Sequence, residues 1–302
     1  MTRRTALTAL GAVAASTLRG QIHAPAKRSG PQLCVFSKNL AKVEYSELGA
    51  IAKELGFDGV DLTVRPGGHV EPNLVNVDLV RAIESVHGAE LEVPMITTAL
   101  TTPFDPTALP IIYIAGKSGV RLFKPGYWHY GSSDILTRVA LVKQDVAGLA
   151  TMGRQCGMAL GLHNHSGDNV GEAVWDSQSI LSDIDPRWAG FYFDPCHATA
   201  EGGLSGWEIS LRLALPRIKM VAIKDFYWAK KGAAWEMQMC PLGEGMVNWP
   251  KFFSMLARGG FDGPISLHVE YEPKDELAAM ARDVEFARKQ LRAAYGSMIS
   301  GS

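Results

Sequence analysis

Residues 191–203 read FYFDPCHATAEGG. The apolar run 190–193 has the length of a strand buried on both faces of a parallel sheet. Asp194-Pro195 cuts it off, because the proline ring disfavours helix at the preceding residue and favours a turn. Asp194 is therefore expected at the carboxyl end of a strand, with His197 three residues on and facing the same space. Parallel α/β sheets hold their chemistry at that end, where a rigid strand stops and a pocket-shaping loop begins.

Outward from this strand the same unit repeats. Strands over 32–37 (QLCVFS), 59–64 (GVDLTV), 91–100 (LEVPMITTAL), 120–124, 158–163, 190–193, 218–224 and 264–270 alternate with helices over 45–55, 74–87, 107–118, 133–156, 172–182, 207–215, 249–258 and 274–295. Gly56, Gly88 and Gly119 fall where helices must stop, as C-terminal caps do. Eight such units without a linker or a break in composition predict one closed (β/α)8 barrel, a TIM barrel, over residues 31–302. A chain of 302 residues, 47% hydrophobic, can bury so large a core.

Residues 1–30 stand apart. An arginine pair, Arg3-Arg4, directly precedes the uncharged small-residue run 6–18, which is too short to span a bilayer and has the layout of a twin-arginine export signal. The expectation is a signal peptide with a short linker, and a mature protein in the periplasm without stable membrane association. Those 30 residues carry five basic side chains and no acidic one, so the remainder has 25 basic against 31 acidic residues, a net charge near −6. That sign argues against a nucleic-acid partner. Cys34, Cys156, Cys196 and Cys240 show neither a CxxC pair nor zinc spacing.

In a barrel the strand ends converge. The fifth strand ends in His163-Asn164-His165, the sixth in Asp194, the seventh in Lys224-Asp225 and the eighth in His268-Val269-Glu270. Imidazoles and carboxylates converging from separate strands suit a divalent metal bound through nitrogen and oxygen. A lone carboxylate at the end of an apolar strand is costly to bury, which favours a functional Glu270. The histidines of the fifth strand can equally cap backbone carbonyls, and Lys224 with Asp225 can equally be a plain ion pair.

The order and spacing of VFSK at 35–38, LGFDGVDL at 55–62, HNH at 163–165, DPCH at 194–197, IKD at 223–225 and PLGEG at 241–245 resemble the xylose isomerase-like barrels of the sugar phosphate isomerase/epimerase family, 3-keto-sugar epimerases and lyases among them. The resemblance implies a divalent ion, most often manganese, held by side chains of strands five to eight. Carried over singly, it gives His163, Asp194 and Glu270 as metal ligands, His163 standing where the family usually has glutamate. Ala222 stands where it usually has a strand-seven ligand, and a methyl group binds no metal.

The expected reaction is isomerisation or epimerisation of a keto-sugar by proton abstraction beside a carbonyl, with Glu270, His163, His197 and Lys224 as catalytic residues. Lys124, Trp128, His165, Asp225, Trp228 and Glu244 are expected to bind the small-molecule sugar, ring faces meeting its C–H faces. Lys124 can instead extend to the rim. The nearest alternative is a 3-keto-glycoside lyase using the same groups for β-elimination. A non-catalytic sugar-binding protein would accommodate Ala222, and a metal-dependent endonuclease on a related barrel would need a basic face that the charge balance denies.

Overall fold

The computed structural model describes residues 30–299; the expected export signal lies outside the described residues. Eight parallel strands close into a barrel. They are β1 (Gln32–Phe36), β2 (Gly59–Val64), β3 (Glu92–Thr98), β4 (Leu122–Lys124), β5 (Ala159–His163), β6 (Ala189–Phe193), β7 (Ile218–Ile223) and, after an inserted hairpin, β10 (Pro264–Leu267), which pairs with β1. The outer layer is formed by α1 (Tyr45–Glu54), α2 (Val80–Gly88), α3 (Ala108–Lys117), α4 (Ile135–Gln155), α5 (Val174–Leu181), α6 (Pro195–Ala214), α7 (Trp249–Arg258) and α8 (Glu276–Ile299). No helix among the described residues is long and apolar enough to cross a membrane.

Strand parity builds two cores. On β7, Val221 and Ile223 join the large apolar layer between sheet and helices. Met220 and Ala222 face the other way and form, with Met95 and Tyr192, a small apolar cluster inside the barrel. Gly161 on β5 leaves room there, because a β-carbon would collide with the end of Met220 and crowd Tyr192. The apolar floor is thus set by residues two before those at the strand ends, and the next inward position on each strand belongs to the site.

Two elements depart from the sequence expectation. The stretch after Asp194 is helix from Pro195 onward rather than a turn and loop leading to a helix at 207. Asp194 caps it by accepting from the backbone N–H of Cys196 and His197, and Pro195 occupies the first turn, where its missing N–H costs nothing. Gly203, at φ 56°, bends this helix into two stretches. Second, the expected twenty-residue loop after the seventh strand is an antiparallel hairpin, β8 (Asp225–Lys231) and β9 (Ala234–Cys240).

Candidate active site

The carboxyl ends of β5, β6, β7 and β10 bring His163, Asp194, His197, Lys224 and Glu270 together. Asp194, fully buried, is fixed through its main chain: its N–H donates to Asn164 Oδ1 at 2.8 Å, and Asn164 Nδ2 donates to its carbonyl at 2.9 Å. One side-chain oxygen caps α6, and the other, Oδ2, faces three cationic or imidazole nitrogens. These are His163 Nε2 at 3.3 Å, Lys224 Nζ at 3.5 Å and His197 Nε2 at 3.7 Å. The imidazoles are oriented from behind: His163 Nδ1 meets the Tyr127 hydroxyl at 2.8 Å and His197 Nδ1 meets Ser166 Oγ at 2.8 Å. His165 packs its ring 4.0 Å from that of His197. Burial, then the Lys124 and Lys224 charges, holds His163 well below the ordinary histidine value, so the ring is neutral.

Lys224 is the electrostatic centre. Its ammonium lies 3.0 Å from Glu270 Oε2 as well as near Asp194, with 2% of its side chain exposed. Burial alone would discharge it, but the two carboxylates outweigh that and raise its pKa above the usual lysine value. Burial would likewise raise the Glu270 pKa, and the ammonium outweighs this, holding the carboxyl well below the ordinary range. The second lysine is placed differently. Lys124, last residue of β4 and 3% exposed, sets its ammonium 3.3 Å from the centre of the Tyr127 ring, and no ion pair among the described residues involves it.

A polar layer lies between these groups and the apolar floor. Buried Asp61 of β2 accepts from Thr97 and Ser266 at 2.8 Å and from the Tyr192 hydroxyl at 3.3 Å. His268 Nε2 meets Tyr192 and Ser266, its Nδ1 lies 3.6 Å from Glu270 Oε1, and its ring stacks on Phe36. Burial raises the Asp61 pKa despite these donors. The sequence reading gave no role to Tyr127, Asn164, Ser166, Tyr192, Asp61 or His268. The His268-x-Glu270 spacing just past the end of β10 was the available signal for the last.

Two expected sugar-binding residues are used elsewhere. Asp225 is spent on the loop after the hairpin, its oxygens accepting from the N–H groups of Phe226, Gly243, Gly245 and Val247 and from Trp249 Nε1 at 2.7–3.2 Å. No lone pair remains free for a sugar hydroxyl. Trp128 is 4% exposed and donates to the Thr101 carbonyl, packing the β4 loop instead of lining a mouth. Trp228 is half-exposed on the hairpin, and Glu244 is exposed in the loop beyond it.

The donor set fits a divalent cation. His163, Asp194 and His197 each offer one ligand atom, all within 4.8 Å of one another. His197 Nε2 is buried without a hydrogen-bond partner, as an atom awaiting a ligand would be. Two imidazole nitrogens and a carboxylate oxygen suit the borderline transition metals. This set has His197 where the sequence expectation had Glu270, which Lys224 holds instead, and Ala222 lies in the apolar floor.

A closed parallel barrel whose strand ends gather imidazoles, carboxylates and a buried lysine belongs to the class of (β/α)8 proteins that carry their chemistry on the carboxyl face. Within that class the chain belongs to the xylose isomerase-like TIM barrel family, whose model matches residues 50–290. It is similar in fold to an L-ribulose 3-epimerase (TM-score 0.70, 14% identity, 90% of this chain and 98% of that one). It is also similar to a xylose isomerase-like TIM barrel protein from Mycobacterium smegmatis in complex with magnesium (TM-score 0.68, 17% identity, 87% and 97%). In sequence, 150 residues are 23% identical to the inosose dehydratase of Mesomycoplasma hyopneumoniae strain 7448, 46% of this chain and 47% of that protein. The chain thus matches about half the length of the curated relatives found.

Proposed function

We propose that this chain is a sugar-modifying enzyme, an isomerase or epimerase that moves a proton beside the carbonyl of a keto-sugar or sugar derivative. The observation that carries this reading is the Lys224 ammonium held between Asp194 and Glu270 at the barrel mouth. A carbonyl oxygen entering there meets a fixed positive charge where negative charge develops in the transition state. As Lys224 turns its N–H toward that oxygen, Glu270 loses the charge that keeps it a weak base, and its carboxylate becomes able to take the adjacent C–H proton. Tyr127 and Ser166 fix His163 and His197 through their Nδ1 atoms and leave both Nε2 atoms directed toward Asp194. A divalent ion held by His163, Asp194 and His197, manganese by our proposal, would polarise the carbonyl and its neighbouring hydroxyl.

The second reading is a lyase, in which the enolate expels an oxygen substituent. The partial similarity to inosose dehydratases favours keeping it. We also propose that the chain is exported by the twin-arginine route and meets an unphosphorylated sugar derivative outside the cytoplasm, on the strength of Arg3-Arg4 and the run behind them.

The test is to incubate the protein with a panel of keto-sugars in deuterated water, with and without manganese, and to follow C–H exchange and products by NMR. Exchange that is lost in Glu270→Gln supports proton abstraction, and an unsaturated product assigns the lyase. Tight sugar binding without exchange makes the chain a binding protein and ends the enzymatic reading.

A further inference from the structure

A single oxygen is shared by two claims in this barrel. Asp194 Oδ1 is taken by the N–H groups of Cys196 and His197, so only Oδ2 is left for the site. Around it stand His163 Nε2 at 3.3 Å, Lys224 Nζ at 3.5 Å and His197 Nε2 at 3.7 Å. The two imidazoles and this carboxylate are the donor set that fits a divalent cation. The ammonium, at an intermediate distance, already supplies the oxygen with a positive charge. It does nothing for His197 Nε2, which stays buried without a hydrogen-bond partner. The carboxylate is thus satisfied by Lys224, while the imidazole beside it still lacks what an ion would give it.

Distance makes the two claims compete. A first-row divalent ion sits about 2.1 Å from a carboxylate oxygen, so Nζ, 3.5 Å from the same oxygen, would lie at most about 5.6 Å from it. The Lys224 side chain is 2% exposed and Asp194 is fully buried, so little water screens the repulsion between ammonium and ion. Lys224 has somewhere else to go: Glu270 Oε2, at 3.0 Å, is nearer to it than Asp194 is. Ala222, two residues earlier on the inward alternation of β7, offers no lone pair. The seventh strand therefore sends this oxygen a positive charge and no donor atom for a metal.

We propose that Lys224 sets the cation occupancy of this site: its ammonium is a built-in competitor for Asp194 Oδ2, and a divalent ion loads only as Lys224 gives up that oxygen. The inference rests on the reading of His163, Asp194 and His197 as cation donors and deepens it. Lys224 released from Asp194 keeps Glu270 as its partner until a carbonyl oxygen arrives to accept its N–H. Loading of the ion and the turn of Lys224 toward substrate then favour each other, because each removes the ammonium from the oxygen that the ion needs.

The experiment titrates chelator-stripped, full-length protein with manganese chloride and measures the unbound ion by electron paramagnetic resonance, a readout independent of turnover. Lys224→Met and Lys224→Gln, with folds matched to wild type by circular dichroism, should each bind manganese at least roughly tenfold more tightly than wild type. Damage to the fold weakens binding and does not imitate this gain. The same gain should appear when Lys224→Met is added to Glu270→Gln and compared with Glu270→Gln alone, a background in which no released carboxylate can join the ion. Affinity unchanged or lowered in both Lys224 variants overturns the proposal. A gain confined to proteins that keep Glu270 also overturns it, because Lys224 would then act by withholding Glu270 and not by contesting Asp194. Absence of binding in every protein removes the cation site and the proposal together. Exchange into a keto-sugar without manganese, lost in Glu270→Gln, would still support proton abstraction in that case.

Discussion

Replacing Lys224 by methionine keeps the unbranched stem but ends one atom short of the ammonium, leaving Asp194 and Glu270 facing each other without the cation between them. At 3.0 and 3.5 Å each ion pair is worth about 5 kcal/mol of Coulomb energy at an effective dielectric of about 20, against several kcal/mol for desolvating the ammonium. Removing one member of such a group leaves buried charge unpaired and costs about 3–5 kcal/mol. For a domain of this size that lowers Tm by roughly 5–9 °C. The pH dependence has a definite sign. In the native protein the Glu270 pKa is depressed and the Lys224 pKa raised, so the pair is fully charged between about pH 5 and pH 9 and contributes throughout. In Lys224→Met, burial without the ammonium raises the Glu270 pKa. The folded state then binds more protons than the unfolded one, and stability rises as pH falls from about 7.5 to 5. The assay is thermal unfolding by circular dichroism, with chelator present, at three pH values for wild type, Lys224→Met, Glu270→Gln and the double variant. Because the two residues touch, the cost of Lys224→Met should shrink by about 1–3 kcal/mol when Glu270 is already neutral. A variant within about 1 kcal/mol of wild type at pH 7, or additive double-variant costs, would refute the account of Lys224 as the charge-balancing centre.

Other outcomes follow from neighbouring groups. Asp225→Asn turns an acceptor of five hydrogen bonds into a group that donates against some of them, and urea unfolding should show a loss of about 2–4 kcal/mol. Tyr192→Phe removes the hydroxyl shared by Asp61 and His268 and should cost about 1–3 kcal/mol in the same assay. Calorimetric titration of chelator-stripped protein with manganese should give one site, weakened at least tenfold in His197→Ala, which deletes the unpartnered Nε2.

The barrel was legible because each of its units repeats the same local physics: an apolar strand, a turn, an amphipathic helix and, after several of them, a glycine stop. What escaped was local structure whose signal is weak or double-valued. The hairpin 225–240 is exposed over much of its length, so DFYWAKK and AWEMQMC lack the one-sided apolar alternation that marks a strand. Helix α6 was hidden by Asp-Pro, which reads as a turn yet is also an N-cap followed by a first-turn proline. In the site, the strand-end positions of His163, Asp194 and Lys224 followed from strand lengths, whereas the eighth strand stops at Leu267 and Glu270 enters from the loop three residues beyond it. Parity shows why Asp225 was misread: Met220 and Ala222 of β7 face the barrel interior, Lys224 lies on the same alternation, and its neighbour falls on the other face. Tyr127 was invisible because it meets the site from a loop, whereas Tyr192 and Asp61 stood in the stretches 191–203 and 55–62 and were passed over because they sit inside the strands and not at their ends.

Asn164 sits beside Asp194 as a stray peptide unit would, giving a donor and an acceptor to that residue's backbone. The β5–β6 ladder thereby gains an extra rung, made on one side from a side chain. The acid oxygen that meets Lys224 and both imidazoles consequently inherits the rigidity of the sheet and does not depend on a flexible rotamer. An aspartate at position 164 would be nearly the same shape, yet it would lack the N–H that closes the rung, and the whole charge array would drift without any of its own members having changed.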